Sequence, residues 1–407
     1  MEVKPGYKQS EAGIIPQDWS ESTVGEQFEV QLGKMVDAAK NHGELKPYLG
    51  NAAVKWGRFD LTQLQMVPMS KNDMDRYRLL AGDLLVCEGR GVGRSAIWAD
   101  ELGECYYQKA LHRLRARRGF NPQLMVEIFR FWVDQGRLTH YVTESTIPHL
   151  TKEKLVQIPL AVPSPLEQQN IVQALSDVNG LFASLDKLIT KKRDLKQAAM
   201  QQLLTGRTRL PGFRGEWEKK TLGEIGDCVI GLTYQPEDVV EHGTLVLRAS
   251  NIQDRKLSYE DCVFVERTIP PHLFVREGDI LVCVRNGSRA LIGKCVRLDK
   301  DATGHSFGAF MSVYRTPYSR FLVHVFQSDI IQRQIHENIG ATINQITNKD
   351  MKSFRVELPP IEEQKAIAEV LSDMDAEIAA LEERRNKTKL LKEGMMQELL
   401  TGRIRLV

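Results

Sequence analysis

The sequence predicts an α+β fold written twice: two similar α/β globules separated by two long antiparallel helices of coiled-coil type, an internal pseudo-twofold repeat. Three observations carry this prediction. The phrase LLTGRTRL at 203–210 returns at 399–406 as LLTGRIRL. Sliding the chain by 196 positions aligns 163–210 with 359–406 without a gap, and 21 of the 48 pairs are identical, which marks a duplicated unit and not a local motif. The same shift superposes GDLLVC (82–87) on GDILVC (278–283) and TIPHLT (146–151) on TINQIT (342–347), while the residues between these landmarks differ almost throughout. A frame is kept and its content varies.

Each copy runs through its elements in the same order. Residues 20–160 carry short apolar runs (GDLLVC, SAIW, QIPLAVP) broken by Gly and Pro, with one helical stretch at 122–138, which predicts a mixed globule with a small sheet. Beyond Pro165 apolar residues recur by fours and threes at Ile171, Leu175, Val178, Phe182, Leu185 and Ile189, then resume at Leu195, Ala199 and Leu203. The second copy repeats this through Ile367, Leu371, Met374, Ile378 and Leu381, then Leu391, Met395 and Leu399. The seams are interrupted at Lys192 and Lys196 in one copy and at Thr388 and Lys392 in the other.

SPLEQQ and PPIEEQ put proline and acids at the helix starts, where a missing N–H is harmless and negative charge suits the dipole. Gly206 and Gly402 stand where the helices should stop. Each helix could pack on its own globule, but two matched seams favour an antiparallel pair. Some 40 residues at 1.5 Å each make a rod of roughly 60 Å. The expected boundaries are a first globule at 1–160, a central helix at 161–208, a second globule at 209–356 and a C-terminal helix at 357–407.

Composition narrows the function classes. With 42% hydrophobic and 27% charged residues the chain reads as globular. It has no run of about 18 apolar residues that would span a membrane. The opening MEVKPGYKQSEAGIIPQDW lacks a basic region followed by an apolar stretch, so the cytoplasm is the expected location. Six cysteines form no C-x-x-C pair and no zinc-ligand spacing, so reduced, partly buried thiols are expected.

GSRALIGKC (287–295) places five residues between Gly287 and Gly293, where a phosphate loop has four, and Cys295 stands where Ser or Thr would bind magnesium. GRGVG (89–93) opens no helix. G-x-S-x-G and H-E-x-x-H are absent. NPQL (121–124) is the nearest approach to the N/D-P-P-Y/F tetrapeptide expected of a methyltransferase acting on a base amine. No active site is expected.

The net charge is +2, so any nucleic-acid role must rest on local patches. Residues 108–120 carry Lys109, Arg113, Arg115, Arg117 and Arg118 without an acid, flanked by Tyr106, Tyr107 and Phe120. After the second GDILVC come Arg285, Asn286, Arg289, Lys294 and Arg297. Such groups suit phosphate contact and base-edge hydrogen bonding, and equally suit a solvated face. Their recurrence after one landmark in both copies favours DNA.

The ordered segments GYKQSEAGIIPQDW, YLGNAAV, GDLLVCEGRGVGR, PLEQQNIVQALSD, LLTGRTRLPGFRGEWEKKTLGEI, GDILVC and PPIEEQKAIAEVLSDMDAEIAALEERRNKTKLLKEGMMQELLTGRIRL closely resemble the specificity (S) subunit of type I restriction–modification enzymes, over essentially the whole chain. The resemblance implies two target recognition domains, each reading one half of a bipartite, asymmetric double-stranded DNA site, with the helices setting the gap. It implies a chain that is itself non-catalytic and holds no cofactor. Two modification (methyltransferase) subunits would bring S-adenosylmethionine and methylate adenine N6. Two restriction (translocase and nuclease) subunits would bring ATP, Mg and cleavage. No membrane is involved.

On this reading the loops after the GD-L-V strands and the TIPHLT and TINQIT segments face DNA. The candidates are Arg90, Arg94, Lys109, Arg113, Thr146 and His149 in the first copy, and Arg285, Asn286, Arg289, Thr342, Asn344 and Gln345 in the second. Asn51, Arg248, Ser250 and Asn251 join them, or merely hold turns. Two other classes stay open at this point: a free-standing bipartite DNA-binding regulator, and a coiled-coil adaptor protein.

Overall fold

The computed structural model describes residues 4–37, 41–143, 148–339 and 344–407. It forms two compact units, Met1–Leu185 with Arg384–Val407, and Asp186–Glu383.

In the first unit strands β1 (Phe28–Leu32), β2 (Leu84–Cys87), β3 (Ser95–Ile97) and β4 (Leu111–Ala116) form an antiparallel sheet in the order β3-β2-β4-β1. All four residues of β2 are buried. The pleat explains why LLVC is apolar at every position. Leu84 and Val86 face helix α1 (Pro122–Asp134) with Leu124, Met125 and Phe129. Leu85 and Cys87 face the opposite way, against Leu49, Trp98 and Tyr107 beside a second small sheet. Truncating such a core leucine to alanine costs about 2–5 kcal/mol. Asn121 caps α1 through the Gln123 N–H, Pro122 occupies its first turn, and Gly136 at φ 66° ends it.

The second unit repeats the plan with β5 (Asp227–Ile230), β6 (Ile280–Cys283), β7 (Cys295–Arg297) and β8 (Met311–Arg315), in the order β7-β6-β8-β5. Ile280 and Val282 pack on helices α2 (Ser319–Phe326) and α3 (Asp329–Asn338), while Leu281 and Cys283 pack on Leu245, Val246 and Phe307. The GD preceding each core strand is structural. Asp83 accepts the Leu80 N–H and clamps Arg115 on β4 with two bonds of 2.7 and 2.8 Å. Asp279 does the same with the Arg276 N–H and with Arg315 on β8.

Two long helices, Pro165–Leu203 and Ile361–Leu400, each give one part to either unit. In the first unit Ile171 and Leu175 share a core with Met396 and Leu399, and Asn170 donates to Leu406 O while Asn179 and Lys392 both meet Glu127, so the segments run antiparallel. In the second, Lys192 pairs with Glu377, Lys196 with Asp375 and Arg193 with Glu382, again antiparallel. The expected resumption of the seams at Leu195 and Leu391 is corrected: these residues are 48% and 57% exposed. The four-three stride continues unbroken from Ile189 to Lys192 and Lys196, and through Thr388 and Lys392. Lys196 is buried at 3% exposure and Thr388 at 6%.

The repeated phrase is a joint. Gly402, at φ 69°, ends its helix where an added Cβ would stand 2.4 Å from Pro16. Arg405 then turns back over the Trp19 ring and forks onto Glu167, whose carboxylate also accepts the Trp19 indole N–H at 2.8 Å. Arg209 forks onto Glu363 and lies over Trp217 in the same manner, after Gly206 at φ 65°. Both glutamates are fully buried.

All six cysteines are free thiols, and among the described residues no helix is long and apolar enough to cross a membrane.

Candidate nucleic-acid interface

In each unit the core strand leads into a loop that faces one short segment further along the chain. In the first unit the Glu88 N–H donates to Ala110 O at 2.9 Å and the Leu150 N–H donates to Glu88 O at 2.8 Å, so the 88–94 loop lies between Lys109–Ala110 and His149. In the second, the Val284 N–H donates to Phe310 O at 3.0 Å and the Ile346 N–H to Val284 O at 2.8 Å. The loop 285–289 therefore lies beside Phe310 and Asn344–Gln345. The two stations match bond for bond.

At the first station Arg90 and Lys109 are exposed and His149 is half-buried. Arg90 adopts φ 36°, a conformation uncommon for a residue with a side chain and a reason to look for function. Asn51 holds it there: its amide donates to Gly89 O at 3.1 Å and Arg90 O at 3.0 Å. Arg94 folds back beneath the loop and donates to Asn51 O at 3.0 Å. Asn51 and Arg94 thus position the loop. Burial pushes the Glu88 carboxyl above its ordinary range, while neighbouring His149 and Lys109 pull the other way.

At the second station the amide of Asn344 donates to Gly287 O at 3.0 Å, the Asn286 N–H donates to Asn344 O, and Arg285 forms an antiparallel bridge with Gln345. Arg285 lies over the Phe310 ring at 5.0 Å. Arg289 is exposed and donates to His336 O at the end of α3. Among the described residues no group of His, Cys, Asp and Glu could hold a metal ion.

Several expectations are corrected. Arg113 points inward from β4, is 4% exposed and is paired with Glu29 at 3.1 Å, so it presents no donor to a ligand. Asn251 is fully buried and donates to Ser258 O and Asp261 O, which makes it a turn holder. Arg248 is half-buried and paired with Asp261 at 2.8 Å, and the Ser250 hydroxyl is buried. Tyr106, Tyr107 and Phe120 are core residues at 0–1% exposure and cannot stack on a base. Thr146 and Thr342 lie outside the described residues. Phe310, 53% exposed, was missed. The signal was available as an isolated aromatic where the first copy has Ala110.

Comparisons with known proteins supply the context. The chain matches the family model of the type I restriction modification DNA specificity domain twice, over residues 16–192 and 214–390. It is 23% identical over 429 residues to the type I restriction enzyme MjaVIII specificity subunit of Methanocaldococcus jannaschii, covering 98% of this chain and 96% of that one. It is 26% identical over 197 residues to the EcoKI specificity subunit of Escherichia coli strain K12, covering 46% of this chain and 42% of that one. The crystal structure of the S subunit from M. genitalium shares the fold, with a TM-score of 0.59 at 14% identity over 98% of both chains. A chain solved in work on complex assembly and conformational transition of the type I R-M system gives 0.61 at 18% identity, over 96% of this chain and 99% of that one.

Proposed function

Because this chain belongs to the type I restriction modification DNA specificity family and carries the family's domain twice, we propose that each of its units reads one half of a bipartite, asymmetric DNA site for catalytic partners. The chain is a specificity subunit and is not itself an enzyme. Residues 1–160 and 209–356 are the recognition domains, and 161–208 and 357–407 are the spacer helices that fix the unspecified gap. Its partners are two modification subunits, which bring S-adenosylmethionine and methylate adenine N6, and two restriction subunits, which bring ATP, Mg and cleavage. The complex works in the cytoplasm, where host DNA lies.

The observation that carries this reading is the matched station. The same strand end, loop and facing segment recur in both units with different side chains: Arg90, Lys109 and His149 in one, Arg285, Asn286, Arg289, Asn344 and Gln345 in the other. Reading two unlike half-sites calls for a constant frame that positions and a variable surface that specifies. Asn51 and Arg94 belong to the frame, as do Arg248 and Asn251. Arg113 has no part at the surface.

Mapping N6-methyladenine across host DNA, with and without this gene and with its modification subunit expressed, tests the proposal. A split motif methylated only when the gene is present is the expected result. Absence of any gene-dependent motif overturns it. Tight site-specific binding by the chain alone, indifferent to an added modification subunit, would instead make it a free-standing regulator.

A further inference from the structure

We infer that Arg285, seated over Phe310, is the base-reading residue of the second unit, and that the half-site it reads contains a guanine. The inference rests on the DNA-recognition reading above and adds a residue and a base to it.

The matched backbone bonds fix the register between the stations. Arg285 stands where the first unit has Gly89, Phe310 where it has Ala110, and Gln345 where it has His149. In the first unit the imidazole of His149 takes the empty place: a Cβ on Gly89 would stand 3.1 Å from His149 Nδ1. In the second unit that place carries a guanidinium. Its carbon sits 5.0 Å from the centre of the Phe310 ring, and that ring is 53% exposed.

An exposed phenyl group beside a strand turn gains little by packing. Here it supplies a face for the guanidinium, which cation–π attraction holds in place. Among the described residues no ion pair occupies Arg285, whereas Arg248 is held by Asp261 and Arg315 by Asp279. The main chain beneath it is fixed by the bridge to Gln345. Arg285 is therefore positioned at its root and along its length, with its donors uncommitted among the described residues.

A planar guanidinium offers parallel N–H donors whose spacing matches O6 and N7 of guanine, two acceptors side by side on the major-groove edge. Adenine presents an amino donor at the first of these positions and would oppose it. A phosphate could also accept from Arg285, but such a contact needs no aromatic platform and carries no sequence information. The same station in the first unit offers His149, with Arg90 one residue along the loop. One frame therefore reads different bases in its two copies.

The test uses the chain assembled with its modification subunits and DNA in which each position of the second half-site is varied in turn. Arg285→Ala is expected to weaken cognate binding about 5–150-fold, to abolish the preference at one G·C pair and to leave the first half-site unchanged. Arg285→Lys loses the preference too, because a single ammonium cannot fork. Arg285→Gln moves the preference at that pair toward adenine. Phe310→Ala weakens the same preference without moving it. Because Arg285 is exposed, thermal unfolding of the variants should match that of the parent. Equal weakening on every sequence, with the salt dependence reduced by about one phosphate contact, would overturn the inference. Unchanged binding would overturn it as well. If the parent assembly itself shows no site-specific binding, the proposed function falls, and this inference with it.

Discussion

Arg405→Ala should destabilise the first unit and spare the second. The Glu167 side chain is fully shielded from water and accepts two bonds from Arg405, at 2.6 and 2.9 Å, with a third from Trp19. Arg405 also holds Asp18, but that carboxylate is 64% exposed and contributes little. Removing Arg405 strands a buried carboxylate, which costs about 3–5 kcal/mol. For a domain of 150–250 residues each kcal/mol moves the midpoint by roughly 2–4 °C, so a fall of about 6–20 °C is expected.

Calorimetry measures the size of the effect, and hydrogen exchange assigns it to a unit. Glu167→Gln added to Arg405→Ala should restore much of the loss, since the stranded charge is the cause. Burial raises the Glu167 carboxyl, but the bonds from Arg405 and Trp19 outweigh it and hold the group below the ordinary range. Its contribution is therefore present above the unfolded value of about 4.3 and is lost as the pH falls through the lower folded value. Arg405→Ala should flatten that acid limb. If Arg405→Ala costs under about 1 kcal/mol, or Glu167→Gln restores nothing, the lock does not work as argued.

Other outcomes follow from the helices. Asp375→Asn should cost the second unit about 3–5 kcal/mol by orphaning Lys196, which is 3% exposed, whereas the double change Lys196→Met with Asp375→Leu should be close to neutral in urea unfolding. Burial, with Lys196 and Arg255 adding repulsion and Asp375 opposing them, holds His324 down to about 4. An unfolded imidazole titrates near 6.5, so this stability is complete above that pH and drains away as the pH drops toward 4. His324→Gln should flatten the profile between pH 7 and 5. Inserting about one turn at 185/186 together with one at 383/384 leaves each unit's own packing intact and should shift the tolerated DNA gap while both half-sites stay the same. Methylation mapping reads this directly, and altered half-sites would refute the spacer role.

The frame of this fold was legible because duplication printed it twice. GDLLVC and GDILVC announced short strands of a small sheet, and the glycine after each LLT announced a helix stop. The seams were harder to follow beyond Ile189. A lysine at a seam position looks like an interruption until its partner is known, and Asp375 lies 179 residues away from Lys196. Leucines 195 and 391 then drew the pattern onto the wrong face.

At the stations, the loops after GD-L-V do lie beside residues 149 and 345, segments that the family resemblance had already grouped together. Which side chains turn outward was not legible. Arg113 and Asn251 have the chemistry of base readers, but strand parity points the first into the core and a tight turn consumes the donors of the second. Setting Ala110 against Phe310 would have exposed the platform, since a small residue replaced by a large aromatic in a constant frame has to be accommodated or used.

The joint at Arg405 also bears on how the protein is made. Glu167 must wait 238 residues for its arginine, which at about 5–20 residues per second is a delay of roughly 10–50 s. Glu363 meets an arginine that was synthesised 154 residues earlier. The unit that leaves the ribosome first is therefore completed last, and the later one can close as soon as its own stretch has emerged. Any nascent chain that ends short of residue 384 lacks the segment, Met396 and Leu399 included, that closes the first unit's core around Ile171 and Leu175.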